Sequence, residues 1–133
     1  MSIARSSVAA ESERKPGVID ASHLERMTLG DRRLEREVLE LFVRQTAMML
    51  NRIAGAEPPM AAAAAHTLKG SARGIGAWRM ARAAEWLEQA AGTAAAAEEF
   101  EDAMTELKAA SLEASVAIGA RLTALLPELA QRR

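Results

Sequence analysis

The spacing of the apolar residues is the feature that most restricts how this chain can fold. Over four long stretches they recur every three or four residues, the spacing that places side chains on one face of an α-helix. Glycine and proline break the pattern between the stretches, at Gly30, Gly55 to Pro59, Gly74 to Gly76 and Gly92. A half-buried strand would instead alternate with a period of two. The pattern therefore predicts an all-helical chain.

The breaks divide the chain into five predicted helices. The first two begin after a residue that can cap a helix and the third begins at a proline, and most of the five end at a glycine. Asp20 or Ser22 should cap the first helix and Asp31 the second. The approximate bounds are 21–28, 32–53, 59–75 and 77–91, with a last helix that starts near 98 and is weakened at its end by Pro127.

The domain organisation follows from these helices. Residues 1–17 have no apolar periodicity and end in Pro16-Gly17, which predicts a disordered tail. Residues 18–133 suffice for one hydrophobic core but not for two. Four long amphipathic helices with short connections bury their apolar faces most simply as an antiparallel up-and-down bundle, one end of which the short first helix would cover.

The apolar positions of the helices predict the core. The fourth helix should bury Met80, Ala84, Leu87 and Ala91. In the second helix the predicted buried stripe consists of Leu34, Val38, Leu41, Phe42, Met48, Met49 and Ile53, and in the last helix of Phe100, Met104, Leu107, Ser111, Ala114, Ile118, Leu122 and Leu125.

Composition excludes several classes of function. The 17 basic and 18 acidic residues leave a net charge of −1, so the basic surplus that drives non-specific nucleic-acid binding is missing and a protein partner is favoured. Without cysteine there can be no disulfide, thiolate zinc site or cysteine nucleophile.

The longest apolar run, Met60 to Ala65, is far short of the ~20 residues of a membrane span. Arg5 interrupts the N-terminal stretch, which lacks the apolar core of a secretory signal. We expect a cytoplasmic protein.

The third predicted helix carries one segment that points to chemistry, Ala65-His66-Thr67-Leu68-Lys69-Gly70-Ser71. Each residue of an α-helix turns about 100° further, so Leu68 and His66 lie roughly 200° apart. If Leu68 is buried, His66 faces water. The same geometry places four residues within about 60° of His66, namely Ala62, Lys69, Gly70 and Arg73.

This face suits a phosphoryl group. A neutral imidazole is a nucleophile near neutral pH, and Lys69, one turn away, can hold phosphoryl oxygens. A histidine on a helix is by itself more often incidental. Gly70 favours a function, because glycine inside a helix costs ~1 kcal/mol relative to alanine and close approach of a partner would explain it.

Three other polar residues leave alternatives open. Arg73 either assists phosphate binding or is simply solvated. Gln45 lies about as far before the turn near Ala56 as His66 lies after it, so it either hydrogen-bonds the imidazole or is an amide at the edge of the apolar stripe. His23 is expected to be a surface or capping residue.

The segment from His66 to Ser71, followed by Gly76, resembles the signature of histidine phosphotransfer (HPt) domains, the relay modules of multistep two-component signalling. The resemblance begins near Ile19, continues through Gly30-Asp31 and Leu87-Glu88, and reaches the last helix. It therefore covers nearly all of the predicted folded chain.

The resemblance implies a role for each residue of the motif. His66 would be the phosphorylated residue, Lys69 the cation that stabilises the phosphoryl group, and Gly70 the position that gives clearance. Ser71 would be a small residue of the helix packing at the edge of the receiver-docking surface, to which Ala62 and Arg73 would also belong.

The resemblance also implies partners. Members of the family exchange a phosphoryl group with aspartates of response-regulator receiver domains, in relays that a hybrid histidine kinase starts. The receiver supplies Mg²⁺, so no cofactor is expected in this chain. We expect a monomeric carrier rather than an enzyme.

Two other functions compete with this interpretation. A histidine kinase dimerisation domain also presents a histidine on a helical bundle, but an acidic residue usually follows that histidine, whereas Thr67 follows here. We also expect no nucleotide-binding domain in these 133 residues. A helical adaptor, in which His66 is incidental, explains the bundle but leaves Lys69 and Gly70 unexplained.

Overall fold

The computed structural model describes residues 17–92 and 97–131. This part of the chain forms five helices and no strand: α1 (Ala21–Met27), α2 (Arg32–Ala54), α3 (Pro58–Ile75), α4 (Trp78–Gly92) and α5 (Ala97–Gln131). The all-helical prediction is confirmed. The tail predicted for residues 1–17 lies, apart from Gly17, outside the described residues.

Pro127 lies inside α5, near its C-terminal end. The helix continues through this proline to Gln131, the last residue that the structure describes. Proline lacks an N–H group, so the carbonyl of Thr123 loses its helical donor, and the proline ring also crowds that carbonyl. One further helical turn forms after it.

Polar caps and the left-handed Gly76 fix the helix ends that meet at α1. The Asp20 carboxylate accepts from the backbone N–H of His23 at 3.1 Å, and the Asp31 carboxylate accepts from that of Arg33 at 3.0 Å. Gly76 ends α3 with φ of 81°. A Cβ atom there would lie 2.9 Å from that of Asp20, so the turn needs glycine for space as well as for φ. The Asp20 N–H donates to the Gly76 carbonyl at 3.0 Å, which fastens α1 to this turn.

The four long helices surround one core. α3 packs against α2 and α4, α5 packs against the same two helices, and α1 lies on α3. The buried face of α3 is formed mainly by alanine, with Ala61, Ala65 and Ala72 each 0% exposed. Burial of the residues predicted for α4 is confirmed, as it is for most of those predicted for α5. The large side chains of the core are Leu24, Leu39, Phe42, Ile53, Leu68, Ile75, Met80, Leu87, Met104, Leu107, Ile118 and Leu125.

The stripe predicted for α2 is partly wrong. Phe42 and Ile53 are buried, but Leu34, Leu41 and Met48 are 37%, 56% and 49% exposed. These three residues are spaced by seven and therefore lie on one line along the helix. A neighbouring line on the same helix faces the core instead. It consists of Glu35, Leu39, Phe42, Thr46 and Ile53.

A buried carboxylate joins α2 to the C-terminal half of α5. Glu35 is 1% exposed, and it accepts hydrogen bonds from Arg121 Nε, from Arg121 Nη2 at 3.1 Å and from Arg32 Nη1 at 3.0 Å. Burial alone would raise the pKa of Glu35, but the two guanidinium groups outweigh burial and hold the pKa below its ordinary value. Arg32 also lies 3.5 Å from Glu128. These ion pairs hold the last turns of α5 against α2.

The variant Glu35→Gln should lower the free energy of unfolding by ~1–3 kcal/mol at neutral pH, because charge-assisted hydrogen bonds to two arginines become neutral ones. Since the pKa of Glu35 is lowered in the folded state, its contribution is complete above the ordinary carboxyl pKa and is lost as the pH falls through the folded-state value. The difference in the free energy of unfolding between wild type and Glu35→Gln should therefore shrink below about pH 4.

Denaturant unfolding measured across pH would check this. The control is Glu40→Gln, which changes an exposed pair with Arg36 and should have little effect at any pH. A difference between wild type and Glu35→Gln that persisted unchanged into acid would contradict the account.

Candidate functional site

His66 projects from the outer face of α3. Its side chain is 65% exposed, whereas that of Leu68 is fully buried. Gly70 lies one turn further along the same face, and a Cβ atom built on it would have no atom within 4 Å. The ring is therefore open to a large partner from the Gly70 side.

Glu88 of α4 links His66 to Lys69. One carboxylate oxygen lies 2.8 Å from His66 Nδ1, and the other accepts from Lys69 Nζ at 2.6 Å. The Lys69 side chain is only 14% exposed. The hydrogen bond from Lys69 contributes most to lowering the pKa of Glu88, and the bond from His66 adds to it against the opposing effect of burial. The carboxylate is thus ionised at neutral pH.

This contact determines which nitrogen of His66 can act as a nucleophile. An ionised carboxylate only accepts hydrogen bonds, so the Nδ1 atom that contacts Glu88 must carry the proton. In a neutral imidazole the other nitrogen, Nε2, then has the free lone pair. Nε2 is therefore the reactive nitrogen of this largely exposed ring.

Gln45 and Ser71 contact each other rather than His66. The Ser71 hydroxyl donates to the Gln45 side-chain oxygen at 3.3 Å, across the α2–α3 contact. Of the two alternatives for Gln45, the structure has the amide at the edge of the stripe, and Glu88 instead bonds the imidazole. Gln45 is level with this part of α3, as the helix lengths indicated, but it lies on the side of α3 away from α4.

The remaining residues of the predicted face lie around His66. Ala62 is half-buried against the core. The Arg73 side chain is 54% exposed and lies 3.7 Å from Glu85, which is a loose surface pair. Arg73 is thus solvated in this structure, and its guanidinium remains free to approach a docked anion.

His23 has a structural contact. Its Nε2 atom lies 2.8 Å from the backbone carbonyl of Arg73, near the C-terminal end of α3, and its ring packs on Trp78 with centroids 4.8 Å apart. Because a carbonyl only accepts, His23 carries its proton on Nε2. It caps α3 and takes no part in the site.

Glu88 completes the site, although the motif around His66 did not predict this role for it. A signal was present, because His66 lies ten residues before Gly76 and Glu88 lies twelve residues after it. Two helices that reverse direction at Gly76 bring such positions to nearly the same level. In the described ranges, no group of three or more histidine, cysteine, aspartate or glutamate side chains could hold a metal ion.

Comparison with known proteins identifies the family. The model of the Hpt domain matches residues 37–132. The chain belongs to the Hpt domain family. Its fold is similar to the crystal structure of the histidine phosphotransferase ShpA from Caulobacter crescentus, with a TM-score of 0.64 and 28% identity, over 87% of this chain and 97% of that one. A search among curated proteins found no match.

Membership of the Hpt family connects the geometry with a carrier role. Hpt domains are phosphocarriers of phosphorelays, in which they interact with receiver domains and histidine kinases. The exposed imidazole of His66 is held by a carboxylate on one nitrogen and is free on the other, which makes it a suitable acceptor for a phosphoryl group.

The two histidines of this chain should show opposite tautomers when neutral. The proton of His66 should lie on Nδ1, where Glu88 accepts it, and that of His23 on Nε2, where the Arg73 carbonyl accepts it. Nitrogen-15 NMR of the imidazoles distinguishes the two forms. Glu88→Ala should leave His66 as a mixture of tautomers. Glu88→Gln is the matched control, because its amide oxygen can still accept from Nδ1. An unchanged His66 spectrum in Glu88→Ala would show that Glu88 does not orient the ring.

Proposed function

We propose that this protein relays a phosphoryl group between the aspartates of receiver domains, with His66 as the residue that carries it. The observation behind this proposal is the contact between His66 Nδ1 and Glu88 at 2.8 Å, which leaves Nε2 as the nucleophile on an exposed face. The likeness to a histidine phosphotransferase supports the same conclusion.

The transfer exchanges one bond for another. The Nε2 lone pair attacks the phosphorus of an aspartyl phosphate, a nitrogen–phosphorus bond forms, and the bond from phosphorus to the aspartate oxygen breaks. The aspartate leaves as a carboxylate. The ring then holds the phosphoryl group on Nε2 and the proton on Nδ1, so it is positively charged, and the second transfer reverses these steps on another receiver.

Glu88 and Lys69 would stabilise opposite charges of the phosphorylated histidine. The Glu88 carboxylate accepts the Nδ1 proton and offsets the positive charge of the ring. Lys69, held beside it at 2.6 Å, is the cation available to the phosphoryl oxygens. Lys69 can leave Glu88 and turn toward those oxygens, because the carboxylate would still be hydrogen-bonded to His66.

The receiver would dock on α3 and on the adjoining edge of α2. Gly70 provides the clearance, with Ala62, Ser71 and Arg73 around it. Leu41 and Met48 lie four residues before and three after Gln45, so they line the same side of α2 as that residue. Because Gln45 contacts Ser71 of α3, these exposed apolar side chains border the site. An apolar rim beside a reactive centre is typical of a protein-binding surface.

The remaining parts of the proposal concern architecture and partners. The long helices adjoin in the order α2, α3, α4, α5 and back to α2, which supports an antiparallel up-and-down bundle with α1 as its cap. Mg²⁺ would come from the receiver, and a hybrid histidine kinase would start the relay. The chain would act as a cytoplasmic carrier without kinase activity of its own.

The variant His66→Gln should abolish acceptance of the phosphoryl group from a phosphorylated receiver and leave the melting temperature nearly unchanged, because the ring is 65% exposed. Transfer would be followed as acid-labile, base-stable label on the protein. His23→Gln is the matched control, since it removes the other histidine and should still accept. A folded His66→Gln protein that became labelled would remove His66 from its role and favour an adaptor function.

Gly70→Gln should impair transfer from a receiver without lowering stability. Replacing glycine inside a helix contributes up to ~1 kcal/mol of stability, and the position is open. A side chain there covers the approach to His66 but leaves the ring intact, so a small donor such as phosphoramidate should still label it. Gly70→Ala is the control for helix propensity. Equal losses with both donors would mean that Gly70 serves the chemistry or the fold, and no loss with either would contradict the clearance argument.

A further inference from the structure

The charged residues are distributed unevenly between the helices. α2 and α3 together carry seven basic and three acidic residues, whereas α5 carries two basic and seven acidic residues. α5 packs on α2 and α4, the two helices that flank α3, so it lies across the molecule from His66. A chain whose net charge is only −1 therefore has a positive side, which contains His66, and a negative side.

The positive charge is concentrated in the part of the chain that surrounds His66. From Leu41 to Ile75 the sequence contains a single acidic residue, Glu57, which precedes the first turn of α3. The same stretch contains four basic residues, which are Arg44, Arg52, Lys69 and Arg73.

Two of these four cations are not neutralised by a neighbour. Lys69 and Arg73 of α3 each lie beside a carboxylate of α4. Arg44 and Arg52 of α2 are exposed, and neither takes part in the ion pairs that α2 forms with the residues that the structure describes. A cation without a carboxylate beside it keeps its full field outside the protein, to a distance that the salt concentration determines.

Arg52 lies close to His66 along the bundle. It follows Gln45 by seven residues, or about two turns, so it lies on the line of α2 from which Gln45 contacts Ser71 of α3. The chain reverses direction in residues 55–57, so two turns forward along α2 correspond to two turns back along α3. Counted back from Ser71, this level is within two residues of His66.

Both arginines border the exposed apolar residues of α2. Arg44 lies three residues after Leu41 and four before Met48, and Arg52 lies four residues after Met48, so all four share one side of the helix. The apolar centre of this surface thus has a basic border. Border charges of a protein-binding surface determine the rate of association and the choice of partner more than the affinity.

The chemistry of a receiver complements this basic border. A receiver presents the aspartate that carries the phosphoryl group, and carboxylates hold the Mg²⁺ that it supplies. The phosphoryl group adds further negative charge. The surface of a receiver that approaches His66 is therefore negative.

We propose that Arg44 and Arg52 determine receiver specificity, by steering receivers with acidic side chains around the acceptor aspartate onto α2 and α3. The field of the two arginines attracts and orients such a receiver before contact, and the acidic α5 disfavours approach from the other side. A receiver with basic side chains at this border is rejected by like-charge repulsion. The inference rests on the proposed function, because its partner is the receiver that exchanges a phosphoryl group with His66.

The salt dependence of phosphoryl transfer tests the steering. The second-order rate constant is measured with the phosphorylated receiver from which the wild type accepts fastest. In ~25 mM NaCl, Arg44→Glu/Arg52→Glu should lower this rate constant at least about tenfold, because two attractive charges become repulsive. In ~1 M NaCl, where the screening length is only ~3 Å, the variant should be within about twofold of wild type.

The matched control is Arg82→Glu/Lys108→Glu, which makes the same change in net charge with two exposed cations of α4 and α5. It should stay within about twofold of wild type at every salt concentration. Equal losses in the two double variants would overturn the proposal, since only net charge would then matter. A loss in Arg44→Glu/Arg52→Glu that persisted at the highest salt concentration would also overturn it. If this variant matched wild type throughout, the steering would be wrong but the relay would stand, whereas a wild type that accepts from no receiver would overturn both.

Compensating charge changes test the acidic partner surface. Each exposed acidic residue around the acceptor aspartate of that receiver is changed to arginine, and transfer is measured to wild type and to Arg52→Glu. At least one receiver variant should transfer slowly to wild type and several-fold faster to Arg52→Glu, because the two charges have been exchanged. If no receiver variant shows this coupling, Arg52 does not face an acidic receiver residue and the proposal is overturned.

Discussion

The alanine-lined contact between α3 and α4 is the constraint on which the site depends. Ala65 and Ala72 of α3 and Ala81 and Ala84 of α4 are all almost fully buried, and these two helices pack more extensively on each other than any other pair in the described fold. Small side chains let two helices lie at the short end of the usual interaxial range, about 8 Å. The Glu88 side chain of α4 reaches both His66 and Lys69 of α3. Larger residues on this face would separate the carboxylate from the imidazole.

The same contact explains how an exposed histidine can be oriented. A surface imidazole normally rotates freely and samples both tautomers. Here one carboxylate holds Nδ1, and Lys69, itself largely covered, holds that carboxylate. The site therefore combines a reactive nitrogen in solvent with a rigid support beneath it. A group that passes from protein to protein needs both features.

The fold separates two roles. α3 and the edge of α2 face the proposed receiver, whereas the buried Glu35 with Arg32 and Arg121 joins α2 to α5. The Glu35 cluster and the Arg32–Glu128 pair hold two charged residues of α5, Arg121 and Glu128, against α2. A third, Glu113, pairs instead with Arg79 of α4.

The sequence by itself determined the helices, their ends and the outward direction of His66. Periodicity, caps and the Gly76 turn act through contacts close in the chain, so they can be deduced from local spacing. The tertiary structure decided which apolar line of α2 is buried, because Leu34, Leu41 and Met48 have the same period as the residues that face the core. It also decided that Glu88 and not Gln45 holds the imidazole, since that choice depends on which side of α3 each neighbouring helix occupies. Local spacing gives the level of a residue along a bundle, but only the packing of the helices gives its side.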